Sequence, residues 1–218
     1  MTTPTLTPIE ARVLAVLAEK QRTVPDTYPM TLNALVSGCN QKTSRDPVME
    51  VSDAQAQEVL DSLRGKNFVI ETSGGRVLRY SHNIERVLHI PTQSTALLAV
   101  LMLRGPQTAG ELRINCDRLH KFTDISAVEG FLRELAERPA GALVMELARQ
   151  PGSRENRWAH LLSGAPAPEQ HAAATPPPSR SAESGGELAA LRSRVEALEA
   201  DIAELKELVA SLREKART

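Results

Sequence analysis

Three capped helices run into a short hairpin, and the same order then returns; few folds accommodate that succession. Thr7-Pro8-Ile9-Glu10 is the first start signal, with a capping hydroxyl, a proline at the first helical position and a glutamate to close the capping box. Ile9, Val13, Val16 and Leu17 follow on a single apolar face. A loop holding Pro25 and Tyr28-Pro29 intervenes, and Thr31 caps a short helix with Leu32, Leu35 and Val36 inward, stopping near Gly38. Ser52-Asp53-Ala54-Gln55 opens a third helix with another capping box. Its apolar face is Ala56, Val59, Leu60 and Leu63, and Gly65 closes it. Phe68-Val69-Ile70 and Val77-Leu78-Arg79-Tyr80 then flank Gly74-Gly75, a hairpin signal.

The plan recurs without obvious sequence identity. Leu97, Leu98, Val100 and Leu101 lie in a helix that stops at Gly105-Pro106. Thr108-Ala109-Gly110-Glu111 caps the next, with Leu112 and Leu119 as an i, i+7 pair, and Ile125, Val128, Leu132 and Leu135 mark a third. Leu143 to Leu147 and Trp158 to Leu162 flank a wing-like QPGSREN, Gln150 to Asn156. The pattern predicts a mainly α protein with small β-hairpin wings: two tandem winged helix-turn-helix domains over residues 1–89 and 90–163.

Beyond them the character changes. Residues 164–186 are rich in Pro, Ala and Ser and have no large apolar residue, so they cannot bury enough surface to offset backbone entropy and read as a disordered linker. Residues 187–217 then carry an unbroken heptad. Leu188, Val195, Ile202 and Val209 fall at a, and Leu191, Leu198, Leu205 and Leu212 at d, a combination that favours a parallel two-stranded coiled coil. Glu187 with Arg192, Arg194 with Glu199, and Asp201 with Lys206 would pair across such a dimer. The competing reading is one amphipathic helix folded back on a winged-helix domain. The 3.5-residue period favours a partner helix, hence a homodimer.

Composition removes whole classes of function. Across 218 residues, 26 Lys and Arg oppose 27 Asp and Glu, and residues 1–90, 91–162 and 163–218 are each close to balanced, so no segment is a polycation. Aromatics make 3%, too few for the stacking platforms of single-strand-binding modules. No apolar run is long enough to span a membrane, and the N-terminus lacks the basic and apolar blocks of a signal peptide. Cys39 and Cys116 cannot make a disulfide framework, so a reducing cytoplasm is the expected location. Cys116 and His120, at i and i+4, could share a helix face, yet zinc needs about four ligands and no paired short spacing supplies the others. No nucleophile elbow, P-loop or dinucleotide fingerprint occurs. The expectation is a protein without enzymatic activity or cofactor.

The stretches LTPIEARV (6–13), YPMTLNALV (28–36), CNQKTSRDPVM (39–49), LRGPQTAGELR (103–113), PGSRENR (151–157) and RVEALEADIAELK (194–206) resemble the YceH family of bacterial proteins. The resemblance spans nearly the whole chain and implies a tandem winged-helix fold. It carries over no activity and no functional residue.

A winged helix invites a DNA reading, in which the third helix enters the major groove through its N-terminal residues. Gln55 and Gln57 are placed to meet adenine edges. Asp53 and Glu129 would oppose a polyanion, and acids there also suit the helix dipole. Lys42 and Arg45 lie in the long connection after the second helix. Arg76 and Arg79 sit at the first wing, Arg154 and Arg157 at the second, all as candidate phosphate contacts. The segment from Asn40 to Val48 is alternatively an internally bonded structural turn. The expected partner is double-stranded DNA, gripped mainly by its phosphates. A protein partner without DNA binding is the alternative, because fold alone does not decide function.

Overall fold

Each expected helix start carries its cap. At the head of α1 (Pro8–Thr23), Thr7 Oγ1 accepts the Glu10 amide at 3.2 Å and Glu10 accepts the Thr7 amide at 2.7 Å. Thr31 caps α2 (Leu32–Cys39), and Ser52 with Gln55 closes the box on α3 (Asp53–Gly65). The first hairpin pairs β1 (Val69–Ser73) with β2 (Leu78–His82), antiparallel, Glu71 opposite Tyr80. A short α4 (Ile84–Leu88), absent from the sequence reading, leads into α5 (Thr92–Arg104). Thr108 and Glu111 box α6 (Ala109–Asn115), Asp124 caps α7 (Ile125–Ala136), and β3 (Val144–Glu146) pairs with β4 (Trp158–His160). The structure is a computed structural model and describes residues 5–73, 77–149 and 153–166. Among these the protein is mainly helical, with seven helices and two small antiparallel hairpins, an order compatible with a winged helix. The linker beyond residue 166 and the heptad segment 187–217 lie outside the described residues.

Several local expectations change. Helix α3 closes at Asn67, which takes the left-handed φ of 62° that Gly65 was expected to supply. Helix α6 ends at Asn115, so Leu119 is not on it and packs on the core from the following turn. Ile125 is exposed at the start of α7, whose inward face is Val128, Leu132 and Leu135. The largest change concerns α1, expected to be amphipathic. Glu10 through Ala18 are all buried, as are Ser94 through Leu103 in α5. A helix buried all round has neighbours on every side. α1 meets α2 and α3 on one flank and α5 on the other, its most extensive helix contact.

The halves expected on either side of residue 89 therefore share one contiguous core within a compact unit of residues 1–168. Polar ties reinforce it. The Leu6 amide donates to Leu162 O at 2.6 Å, the Asp46 amide to Leu103 O at 2.8 Å, and Arg138 to Leu88 O.

The halves also repeat a hairpin clamp. Met30 exchanges two backbone hydrogen bonds with Tyr80 (3.0 and 2.8 Å), and Gln107 exchanges two with Trp158 (3.0 and 2.7 Å). Arg79 Nη1 donates to Pro29 O at 2.8 Å, and Arg157 Nη1 donates to Pro106 O at 2.8 Å. His82 and His160 close the two ladders opposite Val69 and Val144. The copies thus have local identity after all: Pro-x-Thr at 29–31 and 106–108 faces Arg-aromatic-x-His at 79–82 and 157–160.

Candidate functional site

The connection from α2 to α3 is a fastened loop. Asn40 pinches its ends, its amide oxygen accepting the Val51 N–H at 2.7 Å and its Nδ2 donating to Val51 O at 2.9 Å. Inside the loop sits Arg45, expected as a solvent-facing phosphate contact and found buried instead. Its guanidinium grips both Glu19 oxygens (2.6 and 3.3 Å), Gln41 Oε1 (2.9 Å) and the carbonyls of Ser44 and Gly38 (2.9 and 3.2 Å). With those bonds made, it has no edge to offer a phosphate. The internally bonded turn is the arrangement adopted. Arg12, buried in α1, holds the same loop from below by donating to Cys39 O (3.1 Å) and Pro47 O (2.6 Å). Burial, then the neighbouring Arg45 charge, lowers the Arg12 pKa. Sequence reading missed this second arginine because it stands where an apolar helix face is expected.

The other candidates divide. Gln55 spends its side-chain oxygen on Ser52, and Gln57 accepts from the Tyr80 hydroxyl at 3.3 Å while donating to Asp61 at 3.4 Å. Arg157 is half-buried, bonded to Pro106 O and to Glu111 at 3.1 Å. Arg79 is exposed beyond its bond to Pro29 O, and Lys42 and Arg154 are exposed. Arg76 and the heptad residues Leu188 to Leu212 lie outside the described residues. The exposed face of α3 is acidic: Asp53, Glu58 and Asp61 against Arg64, itself paired with Asp61 and Glu71.

The thiols and histidines do not converge. Cys116 is buried with Sγ 3.7 Å from Ala96 O, whereas His120 packs edge-on against Phe122 beyond the end of α6. Burial pushes both cysteine thiols up to about 12, so neither is a thiolate near neutral pH. Among the described residues no group of three or more His, Cys, Asp and Glu is placed to hold a metal, and no helix is long and apolar enough to cross a membrane.

Positive charge gathers at a place the sequence did not announce. A cleft of about 340 Å³ opens where the loop of residues 41–44 faces α5 and the turn after α6. Lys20 comes from α1, Lys42 from the loop, Arg104 from the last turn of α5 and Arg118 from the turn beyond α6. Among the described residues one carboxylate lines it, Glu19, which pairs with Arg45 behind it at 2.6 Å and with Lys20 at 3.5 Å. Arg104 Nη2 donates to Ser44 Oγ at 2.7 Å. Ser44 itself holds a left-handed φ of 60°, which costs roughly 1 kcal/mol for a non-glycine residue. Of the four cations, only Lys42 was a candidate from sequence; the others stand 22 to 76 positions away and meet it only in the fold.

The fold and these surfaces define a mainly helical protein with duplicated hairpin clamps, buried loop-fastening arginines and a basic cleft. Residues 6–153 match the family described as "Protein of unknown function, DUF480", and the chain belongs to it, the YceH-type family its motifs resemble. It is 59% identical to a UPF0502 protein of Dechloromonas aromatica, covering 95% of this chain and 95% of the relative. A UPF0502 protein of Delftia acidovorans is 57% identical, covering 94% and 89%. One of Cupriavidus necator is 56% identical, covering 94% and 84%.

Proposed function

We propose that this protein is a non-enzymatic tandem winged-helix regulator of the cytoplasm that associates with double-stranded DNA mainly through phosphate contacts. The duplicated hairpin clamp supports the reading most: each half sets a hairpin beside the start of its second helix through the same Arg, aromatic and Pro-x-Thr positions. Exposed Arg79 and Arg154 stand at the two hairpins, with Lys42 at the loop tip. The acidic face of α3 and the engaged Gln55 and Gln57 disfavour base reading in the groove, so contacts should be to the backbone and strongly salt-dependent. Pairing of residues 187–217 into a parallel homodimer would raise the effective concentration of the second body at a shared site.

Fluorescence anisotropy with mixed-sequence duplexes tests this. Micromolar binding at low salt that weakens steeply toward physiological salt is expected. A protein partner is the second reading. It is favoured by the acid on α3 and by a second cleft of about 310 Å³ lined by Glu129, Glu137 and Glu146 together with Arg133, Ala136 and Trp158. No duplex binding at micromolar protein in low salt selects that reading.

A further inference from the structure

We propose that the basic cleft between the two halves is a binding site for a small phosphorylated metabolite with an apolar or aromatic body of about nucleoside size. Four cations from four separate segments, Lys20, Lys42, Arg104 and Arg118, converge on one concavity in a chain whose net charge is −1. Like charges brought together without a counter-ion repel, so the arrangement is most favourable with an anion between them. Among the described residues the one carboxylate at the cleft, Glu19, is committed to buried Arg45 and reaches Lys20 only at 3.5 Å, which leaves Lys42, Arg104 and Arg118 without a counter-ion from the lining. Arg104 and Lys20 are only lightly held, the first by Ser44 at 2.7 Å and the second by contacts of 3.5 Å to Glu19 and Gln41. Both keep N–H donors for a ligand.

The rest of the lining argues for an organic body rather than a bare phosphate. Exposed Val24 and half-buried Leu119 contribute apolar surface above the buried Val100 and Leu103, and Asn115 and Thr43 add neutral hydrogen-bonding groups. The volume of about 340 Å³ lies at the small end of ligand pockets, room for a mononucleotide-sized molecule. A concave site suits a compact anion, whereas a duplex backbone is read along an open surface. The ligand would touch α1 and the loop of the first half together with α5 and the α6 turn of the second. Its binding would therefore stabilise their present packing.

Calorimetry on the full chain, with ADP, pyrophosphate and adenosine as probes at matched ionic strength, tests the proposal. ADP is expected to bind saturably one-to-one with a sub-millimolar Kd, pyrophosphate more weakly and adenosine not at all. The double variant R104Q/R118Q should weaken ADP by at least about tenfold while keeping its melting temperature. Arg86→Gln, an exposed arginine of α4 away from the cleft, should bind ADP as the parent does. The proposal is overturned if neither ADP nor pyrophosphate saturates up to millimolar concentration, or if R104Q/R118Q binds ADP unchanged. Pyrophosphate binding as tightly as ADP refutes the organic-body assignment. Duplex anisotropy on the same variants keeps the DNA reading separate: loss of duplex binding without any small-molecule binding assigns these arginines to DNA and overturns the metabolite site.

Discussion

Acidification should destabilise this protein through two histidines that occupy the same place in the repeated hairpins. His82 and His160 are held neutral in the folded chain. Burial lowers each pKa from 6.5 to about 4, with Arg22 adding to the effect at His82. His82 donates from Nε2 to Gln21 at 2.8 Å and accepts the Ile84 amide on Nδ1 at 3.4 Å, an arrangement only the neutral ring can make. His160 Nδ1 is buried without a partner. Between the two pKa values the unfolded chain binds more protons than the folded one, so stability rises with pH across that window and falls as pH drops through it. Going from about pH 7 to about pH 5, a group with these values loses about 2 kcal/mol, and the pair about 4 kcal/mol. A typical domain has only about 5–15 kcal/mol to lose. Glu10 does not share this window. Burial would raise its carboxyl, but Lys66, Ser62 and the Thr7 amide outweigh that and lower it, so its contribution disappears only below the ordinary carboxylate range. Urea titrations at the two pH values should show a large drop in midpoint with unchanged slope. The variant H82Q/H160Q, less stable near neutrality, should lose much less between them. Equal parent midpoints at both pH values, or an undiminished drop in the variant, would refute the reasoning.

Other perturbations have definite expected outcomes. A Cβ at Gly38 would lie 2.7 Å from Val16 Cγ1, so Gly38→Ala should force α2 from α1 and cost about 1–3 kcal/mol in urea unfolding. Arg45→Ala strands Glu19 and opens the loop, at a cost of about 3 kcal/mol in urea unfolding. Asn67→Ala should lose about 1 kcal/mol at its left-handed φ, and Asn67→Gly close to nothing. Sedimentation should give a dimer for the full chain and a monomer for a chain ending at Gly164; two monomers at tens of micromolar would end the coiled-coil proposal.

What could be read from the residues in order was whatever depends on near neighbours. A capping hydroxyl and the Glu or Gln three positions on lie within one turn, so Thr7, Ser52 and Thr108 marked their helices correctly. Gly74-Gly75 between β-rich runs likewise announced the first hairpin. The duplication was legible too, in Pro-x-Thr and Arg-aromatic-x-His, but those tetrads are short and polar, and an eye following apolar periodicity passes over them. Burial on the second side was not legible. Periodicity reports one apolar face, and alanines and a buried arginine on the other face of α1 look like surface until α5 is known to lie there. Charge state and role follow the same division. Arg45 and Lys42 are three residues apart in one polar loop, yet one is sealed against Glu19 and the other lines an open cleft. Which of them faces solvent is set by groups on α1 and α5, some 22 to 62 positions away, because burial and pairing are properties of the space around a side chain and that space is built by distant chain.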